Sequence, residues 1–192
     1  RKYINRALPK AVEGIQFIVL YGNTGAGKTH ILEEIKKKGM DVLDLEDCAN
    51  HRGSLLGSVG LGEQNSQKQF ESLLYESLKN RKSNTVYVEG ESAKIGKVII
   101  PEYIYNAMNN GIGIKIEASM EYRINNIMKD YVHGTDDELI SALNCLRKYI
   151  GDKNIDSFIG MIKEKRYEEV IEDLIIKYYD PLYEYKNRDI KA

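Results

Sequence analysis

Apolar and polar positions change rhythm several times along this chain, and each change predicts an element. Ile15 to Tyr21 is a nearly unbroken apolar run of strand length, and a helical spacing follows from His30 to Lys38, stopping at Gly39. Tyr3 to Leu8 reads as a short entry segment ending at Pro9. Met40 to Leu45 predicts a second strand and Thr85 to Glu89 a third. Gly113 to Ala118 predicts a fourth. Between them, Ser66 and Gln69 have the spacing of a capping box, opening a helix with Phe70, Leu73, Leu74 and Leu78 on one face. Pro101 suits the first turn of a further helix to Met108, and another spans Met120 to about Val132. Strands alternating with helices predict an α/β fold, a parallel sheet flanked by helices.

From Thr135 onward the pattern is wholly helical. Thr135 and Glu138 form a second capping-box pattern, followed by Leu139, Leu143 and Leu146, then Ile155, Phe158 and Ile162. Val170, Ile171, Leu174 and Tyr178 mark a last helix that Pro181 should end. The expected organisation is an α/β domain over 1–134 with a helical extension over 135–192.

The chemistry is concentrated where the first strand meets its helix. Gly22-Asn23-Thr24-Gly25-Ala26-Gly27-Lys28-Thr29 is a complete G-x-x-x-x-G-K-T phosphate loop in the strand–loop–helix setting such a loop requires. Its glycines let backbone N–H groups form an anion nest, and the next helix adds its positive end. Lys28 would reach a β- or γ-phosphate, or an equivalent anion, and Thr29 would ligate Mg²⁺ where a metal is bound. The loop specifies phosphate without specifying which one.

Second-site candidates lie at the other strand ends. Glu89 closes the apolar third strand and suits a metal or water organiser; Glu91 suits a base or substrate contact. Two surface carboxylates in a turn is the plainer alternative. Asp44 and Glu46 could face an acceptor substrate or simply end a strand. The Gly-rich stretch from Glu46 to Glu63 is long for a loop without structure and carries His51, Arg52 and Ser54. His51 can move a proton near neutrality and Arg52 can hold phosphate oxygens in two bonds. Ser92, Lys97 and Arg123 are candidate substrate contacts, Arg123 as a cover over the phosphates; Lys94 and Lys129 are weaker ones.

Composition narrows the class. The 192 residues are 42% hydrophobic and 30% charged, with net charge −1, which excludes a strongly basic protein. Eight Lys or Arg stand against three acids in residues 1–40, so the rest is acidic. No apolar run reaches the ~18 residues a membrane helix needs. Two lone cysteines, Cys48 and Cys145, give neither a disulfide framework nor metal spacing, and a reducing cytoplasm is expected. Cys48 near the site is read as structural rather than nucleophilic. The chain opens at Arg1 rather than Met, as an excerpt or processed product would.

Several segments together resemble one family, the P-loop domain of bacterial-type tRNA 2-selenouridine synthase. Besides the phosphate loop they are Val42 to Glu46, Ala49-Asn50-His51-Arg52-Gly53-Ser54, Gln64 to Gln67 with Phe70-Glu71, and Val88 to Ser92. Ile95-Gly96, Ile100-Pro101, Glu121-Tyr122-Arg123 and Asp180 to Tyr183 continue it across nearly the whole chain. Gly90 departs from the pattern, which places Asp there. The resemblance implies exchange of sulfur for selenium at C2 of a wobble 2-thiouridine in tRNA. It also implies selenophosphate as donor and an S-geranylated intermediate made from geranyl diphosphate. It implies a rhodanese domain, in cis or in trans, carrying the cysteine that handles the chalcogen; this chain would be the other half and would bind ligands without completing selenation. In that setting the loop cradles a phosphate or diphosphate, with Lys28, Arg52 and Mg²⁺ stabilising the departing charge, and ATP or GTP is the less favoured occupant. An ATP-dependent small-molecule or nucleoside kinase, or a non-catalytic nucleotide-binding module, are the alternatives. Oligomeric state does not follow from the residues.

Overall fold

The computed structural model describes residues 3–53, 61–131 and 136–182. By its internal contacts the chain divides into two units. Residues up to Gly22 and Lys28–Ile116 form the first, and Asn23–Gly27 with the residues from Glu117 onward form the second.

In chain order the first unit contains α1 (Ile4–Val12), β1 (Gln16–Tyr21), α2 (Lys28–Lys37), β2 (Val42–Leu43) and α3 (Leu45–Ala49). It continues with α4 (Gln67–Lys79), β3 (Thr85–Glu89), β4 (Lys94–Ile95), β5 (Val98–Ile99), α5 (Glu102–Asn109) and β6 (Ile112–Lys115). Four strands form one sheet in the order β2-β3-β1-β6, all pairings parallel. Because helices cover a parallel sheet, its central strands are apolar on both faces. Phe17, Val19, Val86 and Val88 are buried on one face, packed with Leu43, Phe70, Leu74 and Ile104, and Leu20 is buried on the other. β4 and β5 make a separate antiparallel hairpin that no sequence pattern announced.

Four expectations in this unit change. The entry segment is a helix that runs through Pro9, because Leu8 and Val12 bury a face that holds it against the core. The second strand is only two residues long. Asp44, with extended backbone, accepts from the Asp47 N–H at 2.9 Å and caps α3, so Leu45 begins a helix rather than ending a strand. The Ser66–Gln69 capping box is present and Phe70, Leu74 and Leu78 are buried, but Leu73 faces outward. The strand expected over 113–118 is instead Ile112–Lys115.

The second unit contains α6 (Met120–Tyr131), α7 (Asp136–Cys145), α8 (Arg147–Ile150), α9 (Asp152–Lys163), α10 (Tyr167–Leu174) and a π-helical turn, Ile175–Tyr179. Leu143, Leu146, Ile155, Phe158, Val170 and Ile175 are buried in it. The division falls at 116/117 rather than at 134/135, since α6 packs against α10 and so belongs with the later helices. The Thr135 cap lies outside the described residues. Pro181 does not end the last helix where expected: helical structure continues through Asp180, Pro181 and Leu182. Among the described residues no helix is long and apolar enough to cross a membrane.

Candidate functional site: a phosphate loop and a carboxylate cluster

In the first unit, Leu20 of β1 is in register with Glu89 of β3, so Glu89 ends its strand beside the point where the phosphate loop leaves the sheet. Lys28 opens α2. Its side chain is buried and Nζ donates to the Gly22 carbonyl at 2.9 Å. The Thr29 hydroxyl donates to Glu89 Oε1 at 2.7 Å. Thus the last residue of the motif meets the predicted strand-end acid directly.

Glu89 does not act alone. One carboxylate oxygen each from Glu46, Glu89 and Glu91 lie within 4.8 Å of one another. Glu46 is carried by the first turn of α3 and also accepts the Gly53 N–H. Burial, then the negative charges of Glu89 and Glu91, push its carboxyl up to about 8; the Gly53 N–H and Lys28 oppose that rise. Two ionised carboxylates beside a third in a desolvated place favour a retained proton or a cation. Hydroxyl and carboxylate oxygens are hard donors, so Thr29, Glu89, Glu46 and Glu91 fit a Mg²⁺ ion chemically. Asp44 is also raised, first by burial, but its carboxylate serves as the α3 cap.

The His51 segment is built from α3. Asn50 ends that helix in the left-handed conformation (φ 48°), and the His51 N–H returns to the Glu46 carbonyl at 3.1 Å. His51 is buried, and that burial lowers its pKa against an opposing contact with the Arg52 backbone. Arg52 is half-buried. Gly53 packs against the Glu91 carboxylate so closely that a Cβ there would overlap it. Ser54 lies outside the described residues.

Several residues that sequence reasoning left without a role hold this arrangement. Asn50 donates to the Leu61 and Glu63 carbonyls, and Asn65 to the Cys48 carbonyl. The Gln64 amide bridges the β4–β5 hairpin, donating to the Ile95 carbonyl and accepting from the Lys97 N–H, both at 2.9 Å. Gln67 does the same at Ile99. Gly96 turns the hairpin at φ +54°, and a Cβ there would lie 2.8 Å from His51 Cδ2. A run of side-chain amides before a helix, with a glycine thirty residues on, was the available signal. Of the remaining candidates, Ser92 donates to the Lys94 carbonyl within its own turn, and Lys97 is exposed. Cys48 is buried in the core, its thiol pushed up to about 12 by desolvation, which suits a structural cysteine.

Gly90 explains its own departure. A Cβ at that position would run into the ring of Tyr21, so the aromatic ring occupies the space an aspartate would need.

In the second unit the crest Asn23–Gly27 is held by α6. Gly25 (φ +79°) and Gly27 (φ +90°) adopt backbone that disfavours side chains, and a Gly25 Cβ would lie 2.7 Å from the Arg123 carbonyl oxygen. Arg123 is buried. Its Nε donates to the Thr24 carbonyl at 2.9 Å, and its two terminal nitrogens grip Asp180. It therefore buttresses the loop rather than standing open as a cover for the phosphates. Asn126 donates to the Gly25 carbonyl at 3.0 Å.

The model of the tRNA 2-selenouridine synthase AAA domain matches residues 15–192. The chain belongs to this family. A tRNA 2-selenouridine synthase of Marinobacter nauticus is 30% identical over 97% of this chain and 58% of the relative. Those of Pseudomonas syringae pv. tomato (30%; 100% and 59%) and Shewanella pealeana (28%; 97% and 58%) are similar. The chain thus spans less than two thirds of the length of these curated synthases. Among solved structures, a DNA replication initiation factor aligns over 97% of the chain and 63% of its own, at 20% identity. Its TM-score of 0.30 is too low to bear on fold or function.

Proposed function

We propose that this chain is the phosphate-binding part of a tRNA-modifying transferase. The whole enzyme converts wobble 2-thiouridine to 2-selenouridine with selenophosphate, through an S-geranylated intermediate. Family membership supports the tRNA reaction. The observation that carries the residue assignment is the convergence of Lys28, Thr29, Glu46, Glu89 and Glu91 at the end of β1 and β3.

In this reading the loop Gly22–Thr29 cradles the diphosphate of geranyl diphosphate, or the phosphate of selenophosphate. When the thiouridine sulfur attacks the geranyl carbon, the carbon–oxygen bond breaks and negative charge collects on the departing diphosphate. Lys28 and Arg52 stabilise that charge, and preorganised cations in a dry site are effective there. Mg²⁺, held by Thr29 and Glu89, would neutralise further charge on the phosphate oxygens. A protonated Glu46 can give a proton, and Glu91 or His51 can accept one, at the sulfur or selenium. Ser92 and Lys97 remain proposed substrate contacts, as does Ser54. tRNA and a rhodanese domain, in cis or in trans, are the proposed partners, in the cytoplasm.

Isothermal titration of the chain with geranyl diphosphate, selenophosphate and ATP tests the reading. Binding of either of the first two is expected. Tight ATP binding with neither of the others overturns it and favours the kinase alternative, in which Asp44, engaged here as a helix cap, or Glu46 would face the acceptor. Salt-dependent binding to thiolated tRNA tests the partner assignment.

A further inference from the structure

Accepting the phosphate-cradle reading above, we infer that Asp180, acting through Arg123, is a positioning residue for the phosphate loop, holding its crest in the anion-receiving conformation.

The connections form a closed ring. Arg123 Nε donates to the Thr24 carbonyl at 2.9 Å; Nη1 donates to Asp180 Oδ2 at 2.9 Å and Nη2 to Asp180 Oδ1 at 2.5 Å. Asp180 Oδ1 accepts in turn from Asn23 Nδ2 at 3.1 Å, which returns to the loop one residue before Thr24. Two consecutive crest residues are therefore fastened to one ion pair. The arginine side chain is 7% exposed and the aspartate 25%, so water screens the pair little.

The ring has a specific effect on anion recognition. A nest requires backbone N–H groups to face the anion while the carbonyl oxygens, which repel it, are directed elsewhere. Arg123 takes the Thr24 carbonyl and Asn126 takes the Gly25 carbonyl, so two successive carbonyls are committed to α6. Asp180 neutralises the arginine charge, leaving recognition to the crest's own N–H groups. Within the crest itself, the Ala26 N–H holds the Asn23 carbonyl at 3.1 Å, and the ring adds the hold on the Asn23 side chain and the Thr24 carbonyl.

The helix that presents Asp180 is locally adapted. Residues Ile175–Tyr179 form a π-helical turn, and the Asp180 N–H bonds to the Ile175 carbonyl five residues back. Such a turn inserts one residue into the helical register and commonly accompanies a functional position. Here it sets the register of Asp180, which ties the last helix to the crest.

The test uses the full chain with Asp180→Asn, which keeps size but removes charge, and Asn23→Ala, which removes one leg of the ring. The readouts are affinity for inorganic pyrophosphate by titration and hydrogen exchange of the amides 23–27. Each variant should weaken pyrophosphate at least about tenfold. The double variant should bind no more weakly than Asp180→Asn alone, because both changes cut the same ring. Amide exchange should quicken at 23–27 in both, and saturating pyrophosphate should slow it again. A merely structural role would spread faster exchange through α6 and α10 and leave affinity untouched. Wild-type affinity together with unchanged exchange in both variants overturns the inference. If the wild type binds no pyrophosphate, exchange alone decides: quickening confined to 23–27 upholds the positioning role while the phosphate-cradle reading fails. If Asp180→Asn does not fold, Asn23→Ala decides by the same measures.

Discussion

Thr29 donates its hydroxyl to Glu89 across 60 residues of chain, tying the first turn of α2 to the end of β3. The same pair is the proposed cation position, so the bond has both a stability and a binding consequence. Thr29→Ala should lower stability by about 1 kcal/mol in urea unfolding, the usual worth of one such bond. Glu89→Gln can still accept a hydrogen bond but loses a ligand charge. It should abolish any enhancement of diphosphate binding by Mg²⁺ while leaving metal-free binding intact, as titrations with Mg²⁺ and with EDTA would show.

Lys28 is buried with its ammonium on the Gly22 carbonyl. Lys28→Ala should weaken geranyl diphosphate or pyrophosphate by about 1.5–3 kcal/mol, the range for hydrogen bonds to charged groups. Far-ultraviolet circular dichroism should remain unchanged. Undiminished affinity would remove Lys28 from the site.

Glu46 gives a pH dependence of definite sign. Its carboxyl is pushed up to about 8 in the folded chain, by burial first and by Glu89 and Glu91 next. An unfolded glutamate titrates near the ordinary value of about 4.3. Between those values the folded state holds a proton that the unfolded state has released. This contribution therefore favours folding at low pH and is lost as pH rises towards 8. Glu46→Gln should flatten the decline in stability from pH 5 to 8, measured by denaturant midpoints. An identical pH profile in the variant would show that Glu46 is not the group responsible.

Gly90 and Tyr21 should be coupled. Gly90→Asp forces a side chain into the Tyr21 ring and should cost about 1–3 kcal/mol, as overpacking does. Adding Tyr21→Ala should recover part of that loss, leaving a double variant more stable than the sum of the single effects. Additive losses would show that the ring does not occupy the aspartate position.

Much of the candidate site was legible because its signals are local. The phosphate loop, the Ser66 cap and the acid closing an apolar strand each depend on residues a few positions apart. Other readings failed where packing overrode a local preference. Pro9 reads as a stop, yet the buried Leu8 and Val12 carry the helix through it. Asp44 reads as a strand-end acid, either facing a substrate or simply polar, yet it caps a helix through the Asp47 amide. Leu73 shares the helical spacing of Phe70 and Leu74 but sits outside the buried stripe.

The sequence by itself determined the G-x-x-x-x-G-K-T motif on which the proposed phosphate chemistry rests, the alternation that builds a parallel sheet, and the motifs that place the chain in its family. Only the tertiary structure decided that Glu46 joins Glu89 and Glu91, that Gln64 and Gln67 bind the β4–β5 hairpin, and that Arg123 bonds both the Thr24 carbonyl of the loop and Asp180. The reason is sequence distance. Arg123 and Asp180 are 57 residues apart, and Glu46 lies more than forty from its partners. No periodicity connects such residues. They meet only because burying apolar faces brings their elements together, and charges left inside must then find one another.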